Sequence, residues 1–292
     1  MRMQCIERLY KPVFDKEKKM KTLNCKRLKN KYFFLSVVLL LVLSFISWLV
    51  VSELVYNVII RNYTQPGWAE PDKRFSLKCV IRGAISWEGY ISCGARFVSD
   101  IFPIFAVIPT IPFLFERKSY FSIGASRFPN RKKELWKSVF FYSLQGGLAL
   151  STAYFIYFTL GNLYLFRALN DIGGFADIFP AGFYHDHPYL FFVFMTVAMY
   201  YPFGFLFAMF ACGLSLFCDK EILVIIIPVV TYILTSYIGF HMDIRCLQIS
   251  SCQTVFNTTT STLDCYIPLI PLLLFDVVFV SLGVKKRSEF IS

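Results

Sequence analysis

Charge is what this chain has least of. Only 17% of its 292 residues are charged, with 19 Asp and Glu together and three His, where an ordinary soluble domain carries about 25% charged residues. That stock cannot clothe a water-facing surface, so a soluble globular fold is excluded. Catalytic signatures are missing too. There is no G-x-x-x-x-G-K-[ST] to cradle a phosphate, no H-E-x-x-H and no G-x-S-x-G. The chain is therefore expected to be no enzyme and to carry no cofactor, and any ATP it uses is bound by another chain. Residues 1–32 lack the apolar core and small-residue cleavage site of a signal peptide. No internal repeat, low-complexity tract or separate soluble domain is visible.

What the chain has in quantity is apolar: 56% hydrophobic residues, 33 of them Phe. Several runs approach the roughly 20 residues that cross a hydrocarbon core, and alternating strands of the barrel type are not the dominant pattern. The fold class expected is all-α, a polytopic integral membrane protein with six transmembrane helices. The spans fall at about 33–52, 98–115, 138–160, 189–217, 222–240 and 266–284. The third bears Gly146 and Gly147 as a close-approach surface for a neighbouring helix. The fourth exceeds the bilayer requirement, and Pro202 and Gly204 suggest a bend within it. The second contains Pro103, Pro109 and Pro112, which a span tolerates only where neighbours or water satisfy the freed backbone groups. It is therefore expected to pack against other spans.

Orientation follows from residues 116–137. This loop carries Arg117, Lys118, Arg127, Arg131, Lys132, Lys133 and Lys137 against Glu116 and Glu134. A basic loop between spans stays in the cytoplasm, and that choice puts both termini inside. Inner segments then hold 22 Lys and Arg against 8 Asp and Glu, and outer segments 8 against 10. The net charge of +11 is thus sorted by side, and no nucleic-acid partner is needed to explain it. The division expected is a cytoplasmic basic amphipathic lead-in at 1–32, a six-helix transmembrane domain at 33–284 and a cytoplasmic tail at 285–292. In the lead-in, Ile6, Leu9, Tyr10, Val13 and Phe14 share one helical face suited to the inner membrane surface, although Pro12 interrupts it.

Polar groups in the apolar part are few. Asp276 lies mid-span in PLLLFDVVFV, where a carboxylate is costly unless paired, protonated or facing water. Either a functional role or a hydrogen bond between helices would account for it. His185, Asp186 and His187, with Asp177, are the densest set of metal-ligand types, but zinc asks for three or four convergent ligands, and a polar outer loop is the simpler reading. Five of the nine cysteines fall outside: Cys79, Cys93, Cys246, Cys252 and Cys265. Pairing is permitted there, Cys246 and Cys252 close the shortest loop, and free thiols are the preferred reading. The sequons at Asn62 and Asn257 are attributed to chance.

The run FPIFAVIPTIPFLFERKSYFSIGASRFPNRKKELWKSVFFYSLQGG resembles the membrane subunits of type-2 ABC exporters, in particular a group of small bacterial permeases. The resemblance rests on an apolar, proline-bearing helix with Glu116 at its inner end. A turn at Gly124 follows, then Arg127 and a basic-aromatic segment leading to Lys137. It implies a permease subunit in the cell membrane, paired with a second copy or a second membrane subunit in the lipid bilayer. A separate cytoplasmic ABC ATPase would dock on residues 116–137. Glu116, Arg117, Ser119, Tyr120 and Arg127 would make the ATPase-coupling contacts, and Asp276 would line an internal path. A membrane sensor, immunity or assembly protein without transport would show the same spans. An intramembrane enzyme would need convergent acids or histidines within the spans, and Asp276 stands alone there.

Overall fold

The computed structural model describes residues 30–52, 81–82, 85–123, 130–167, 180, 182–253 and 266–289. The lead-in up to residue 29, both sequons, Asp177, Cys79, Cys265, Gly124, Arg127 and residues 290–292 lie outside the described residues. Among the described residues the chain is helical without strands, apart from an isolated bridge between Ser86 and Phe166. The elements are α1 (Lys31–Val51), α2 (Trp87–Ser99), α3 (Phe102–Val107), α4 (Ile111–Ile123), α5 (Arg131–Tyr164), the short α6 (Phe183–Asp186), α7 (Pro188–Met195), α8 (Tyr201–Phe217), α9 (Glu221–His241) and α10 (Leu269–Glu289).

Burial in these helices is inverted relative to a soluble protein. In α1 the inward face holds Ser36, Ser44 and Ser47, while Phe34, Leu35, Val38 and Val42 face outward. In α9 Ser236 and Tyr232 are buried, and Ile222, Ile226, Ile233 and Leu234 are exposed. In α10 Asp276 is buried, while Leu273, Leu274, Phe275, Val277 and Val278 are exposed. A soluble monomer rarely leaves a contiguous apolar patch of more than a few hundred Å² open to water. Whole apolar helix faces turned outward fit a lipid environment. Four segments are long and apolar enough to cross a membrane: Lys31–Val51, Arg131–Tyr164, Pro188–Phe217 and Glu221–His241. A fifth is added if the bent pair Trp87–Ser99 and Phe102–Lys118 counts as one span. The chain is a multi-pass membrane protein. The sequence expectation of six spans exceeds this count because α10 carries Asp276 and ends in Lys285, Lys286 and Arg287.

At Pro103, Pro109, Pro112 and Pro202 a backbone donor is lost, and a neighbouring group takes up the freed carbonyl. In a continuous helix the carbonyl of residue i receives the amide of residue i+4, and proline has none to give. Pro103 leaves the Ser99 carbonyl, which accepts the Tyr232 hydroxyl of α9 at 2.7 Å. Pro109 leaves the Phe105 carbonyl, which accepts the Ser36 hydroxyl of α1 at 2.5 Å. Pro112 leaves the Ile108 carbonyl, which the Ile111 amide reaches through the 3-10 turn Ile108–Thr110. Pro202 leaves the Ala198 carbonyl, which accepts the Tyr266 hydroxyl at 3.0 Å. The proline-rich second span does sit against its neighbours.

Two irregularities shape the bundle. The second span is not a straight helix beginning at residue 98. Helix α2 starts at Trp87, capped by the Ser86 hydroxyl on the Gly89 amide, and the chain turns by 81° before α3. Residues 87–97, which fall between the first and second expected spans, bury Trp87, Tyr90 and Ile91. The fourth span is continuous from Pro188 to Phe217 and absorbs its extra length in a π-helical turn, Thr196–Tyr200, just before Pro202. There Ser151 of α5 donates to the Thr196 carbonyl at 2.9 Å.

Helices α5 and α8 cross at glycine, as the sequence suggested. A Cβ on Gly146 would lie 2.3 Å from the Ala208 Cβ and 2.6 Å from the Ala106 carbonyl oxygen, and one on Gly147 would lie 2.8 Å from the Tyr201 carbonyl oxygen. Backbone-to-backbone approach of this kind is how helices associate where lipid removes the hydrophobic drive. An aromatic core fills one half of the bundle, with Tyr90 stacked on Tyr157 and Tyr154 stacked on Tyr200.

Candidate functional site

The charged end of the bundle gathers where α4 leaves the apolar region. The preceding segment is fixed from α1: Asn30 caps α1 by accepting the Tyr32 amide, and its side-chain amide donates to the Pro109 carbonyl at 2.8 Å and to Gln145 at 2.7 Å. Helix α4 then delivers Glu116, Arg117 and Lys118 in succession, each toward a different neighbour.

Glu116 accepts the Tyr142 hydroxyl of α5 at 2.6 Å. Arg117 turns inward and is only 6% exposed. Its guanidinium donates to the Ser215 and Cys218 carbonyls at the end of α8 and pairs with Asp219. The last carbonyls of a helix have no intrahelical partner, and the end of the helix carries partial negative charge, so a buried cation is well placed there. Arg287 of α10 reaches the same point, donating to the Leu216 carbonyl at 2.8 Å and lying 3.3 Å from Asp219. Two arginines from two helices thus clamp the end of a third, with Asp219 between them. Arg117 holds the Asp219 carboxyl below its ordinary range; slight burial opposes this, and Arg287 and Lys118 add smaller pulls. Lys118 lies 3.8 Å from Glu221 at the start of α9. Lys132, Lys133 and Lys137 at the start of α5 are exposed, and Lys137 pairs with Glu134 at 2.8 Å.

Of the residues singled out from sequence, Glu116 and Arg117 are brought together, but facing the bundle. Ser119 and Tyr120 continue α4, their side chains outside the described set. Asp276 lies deeper. It is fully buried, and neither carboxylate oxygen has a hydrogen-bond partner among the described residues. Cys212 of α8 is within electrostatic reach of both Asp276 and Glu116 and lies beside Ser143 of α5, whose hydroxyl donates to the Val139 carbonyl at 2.8 Å. The sequence reading passed over Asp219, Arg287, Tyr142 and Cys212. In sequence Asp219 lies in the short gap between the fourth and fifth expected spans and Arg287 in the expected cytoplasmic tail. The available signal was the unfilled donor requirement at the C-terminal end of α8.

Among the described residues no group of three or more His, Cys, Asp or Glu could hold a metal ion; His185 and Asp186 end the short α6 and His187 follows it. Cys93, Cys212, Cys218 and Cys246 are free thiols.

Fold and site together define a multi-pass membrane protein with a clamped, charged end. No protein-family model, curated protein or solved structure matches the chain.

Proposed function

We propose that the chain is the membrane-spanning permease subunit of an ABC-type exporter of the cell membrane, driven by a separate cytoplasmic ATPase that docks on residues 116–137. In this reading α10 is a span as well, the bent pair α2–α3/α4 is one span, and both termini are cytoplasmic. The permease works as a pair, with a second copy or a second membrane subunit.

One observation carries the reading. The middle of α4 is tied at consecutive residues to α5 through Glu116–Tyr142 and to α8 through Arg117. Any displacement of the 116–137 segment is therefore passed to two spans at once. That is what a coupling element must do, and the exposed Lys118, Lys132 and Lys133 give a partner an outward edge to grip. Glu116 and Arg117 act as the inner anchors of the element and the lysines as its contact edge.

Co-purification tests this. The tagged protein, extracted from native membranes, should bring down a Walker-motif ATPase, and Lys132→Glu with Lys133→Glu should lose it while leaving the protein folded. Glu116→Arg with Arg127→Glu should also release the ATPase. Recovery of the intact protein with no ATPase would overturn the proposal.

A further inference from the structure

Asp276 is the one fully buried carboxylate whose two oxygens lack a partner among the described residues. Its helix turns Leu273, Leu274, Phe275, Val277 and Val278 outward, so the carboxyl points at the seam between α10 and α8. That seam is tight. A Cβ on Gly213 would lie 2.9 Å from the Phe279 ring, and one on Gly283 would lie 2.8 Å from Leu216.

A bare carboxylate in such a place is far costlier than a neutral acid, and a group so placed takes up a proton instead. The charged groups that could change this are distant or occupied. Lys285, Lys286 and Arg287 follow on the same helix, the nearest roughly 13 Å further along the axis at 1.5 Å per residue, and Arg287 is engaged at the end of α8. Arg245, on the 3-10 turn that touches α10, is exposed. What does face Asp276 is polar and uncharged: Cys212 from α8, in electrostatic contact with it, and behind Cys212 the Ser143 hydroxyl of α5. Cys212 is also within reach of Glu116, which holds the Tyr142 hydroxyl. These side chains make a polar file through an otherwise apolar cluster of Phe113, Val139, Leu216 and Val280. It leads from the middle of α10 to the charged end.

We propose that Asp276 is a proton-binding site inside the bundle, exchanging its proton with water at the charged end past Cys212 and Ser143 toward Glu116. On release the O–H bond breaks heterolytically. Water takes the proton as hydronium, the pair of electrons stays on the carboxylate, and nothing is oxidised or reduced. The proposal rests on α10 being a span and makes no use of the ATPase.

Dicyclohexylcarbodiimide adds to protonated carboxyls in apolar surroundings, and it is the probe. The full-length protein in lipid vesicles is treated, and the modified peptide is located by mass spectrometry. The α10 peptide should be labelled at Asp276, with the rate falling as the pH is raised and the protonated fraction falls. Asp276→Asn should lose that label. Cys212→Val should slow the decline of labelling after a jump to high pH. No label at Asp276 at the lower pH, or labelling indifferent to pH, would overturn the proton site. An unchanged decline in Cys212→Val would overturn the route. Equal labelling by a water-soluble carbodiimide would show instead that α10 is not in lipid, and the span reading would fall with it.

Discussion

Replacing Ser36 by Ala removes one oxygen from a residue that is 0% exposed. That oxygen donates to the Phe105 carbonyl at 2.5 Å, and the carbonyl depends on it because Pro109 supplies no amide. Hydrogen bonds between membrane helices average about 0.6 kcal/mol, since a broken one usually finds another partner. Here the orphaned carbonyl sits on buried Phe105, flanked by Pro103 and Pro109. The cost should lie toward the value for an unsatisfied buried group, about 1–3 kcal/mol. We expect Ser36→Ala to destabilise the protein by about 1.5 kcal/mol. The decisive comparison is a double-mutant cycle with Pro109→Ala, which gives residue 109 an amide for the same carbonyl. In that background Ser36→Ala should cost no more than about 0.5 kcal/mol, a coupling of about 1 kcal/mol. Reversible unfolding in mixed micelles gives all four free energies. An equal cost of Ser36→Ala in both backgrounds would refute the account of the proline carbonyls.

Further outcomes follow from the same contacts. Gly146→Ala should lower stability by about 2 kcal/mol or more, because the methyl group meets a backbone oxygen that cannot rotate away; thermal unfolding in detergent measures it. Tyr142→Phe should leave extraction yield and unfolding midpoint nearly unchanged but, under the proposed coupling, weaken stimulation of an ATPase partner, as Glu116 loses its anchor to α5. Asp219 should make stability sensitive to acid. Its folded-state carboxyl lies below the unfolded value of 3.8, so its contribution is present above that pH and is lost as pH falls through the lower folded value. Its side chain is 71% exposed, so screening limits the effect to a few tenths of a kcal/mol. Unfolding midpoints of wild type and Asp219→Asn should therefore converge as the pH falls further below 3.8.

The outer parts of the fold were legible because lipid-facing helices need only length and hydropathy. The expected spans at 33–52 and 222–240 fall within two residues of α1 and α9. Gly146, Gly147 and the prolines were legible as demands for close neighbours. Which neighbours met them was not, because Ser36, Tyr232 and Tyr266 are ordinary span residues until the helices are placed side by side. The 81° turn at Asp100 and Ile101 was hidden because α2 is amphipathic and charged, so hydropathy starts the span only at residue 98. The π-helical turn leaves no mark in hydropathy. In the candidate site, Asp276 stood out as a charge mid-span, and Glu116 as the acid at the inner end of a proline-bearing helix. Arg117 read as one basic residue in a basic loop, and its inward direction depends on where α8 ends. Charge bookkeeping treats a clamp on a helix terminus and a solvated cation alike.

The most direct test of the coupling account is site-specific photo-crosslinking in native membranes, with the photoreactive residue at position 132 in one sample and at position 230, on the outward face of α9, in another. The account predicts a crosslink from position 132 to a Walker-motif ATPase and none to it from position 230. Reagent access to position 132 with no ATPase crosslinked there would contradict it.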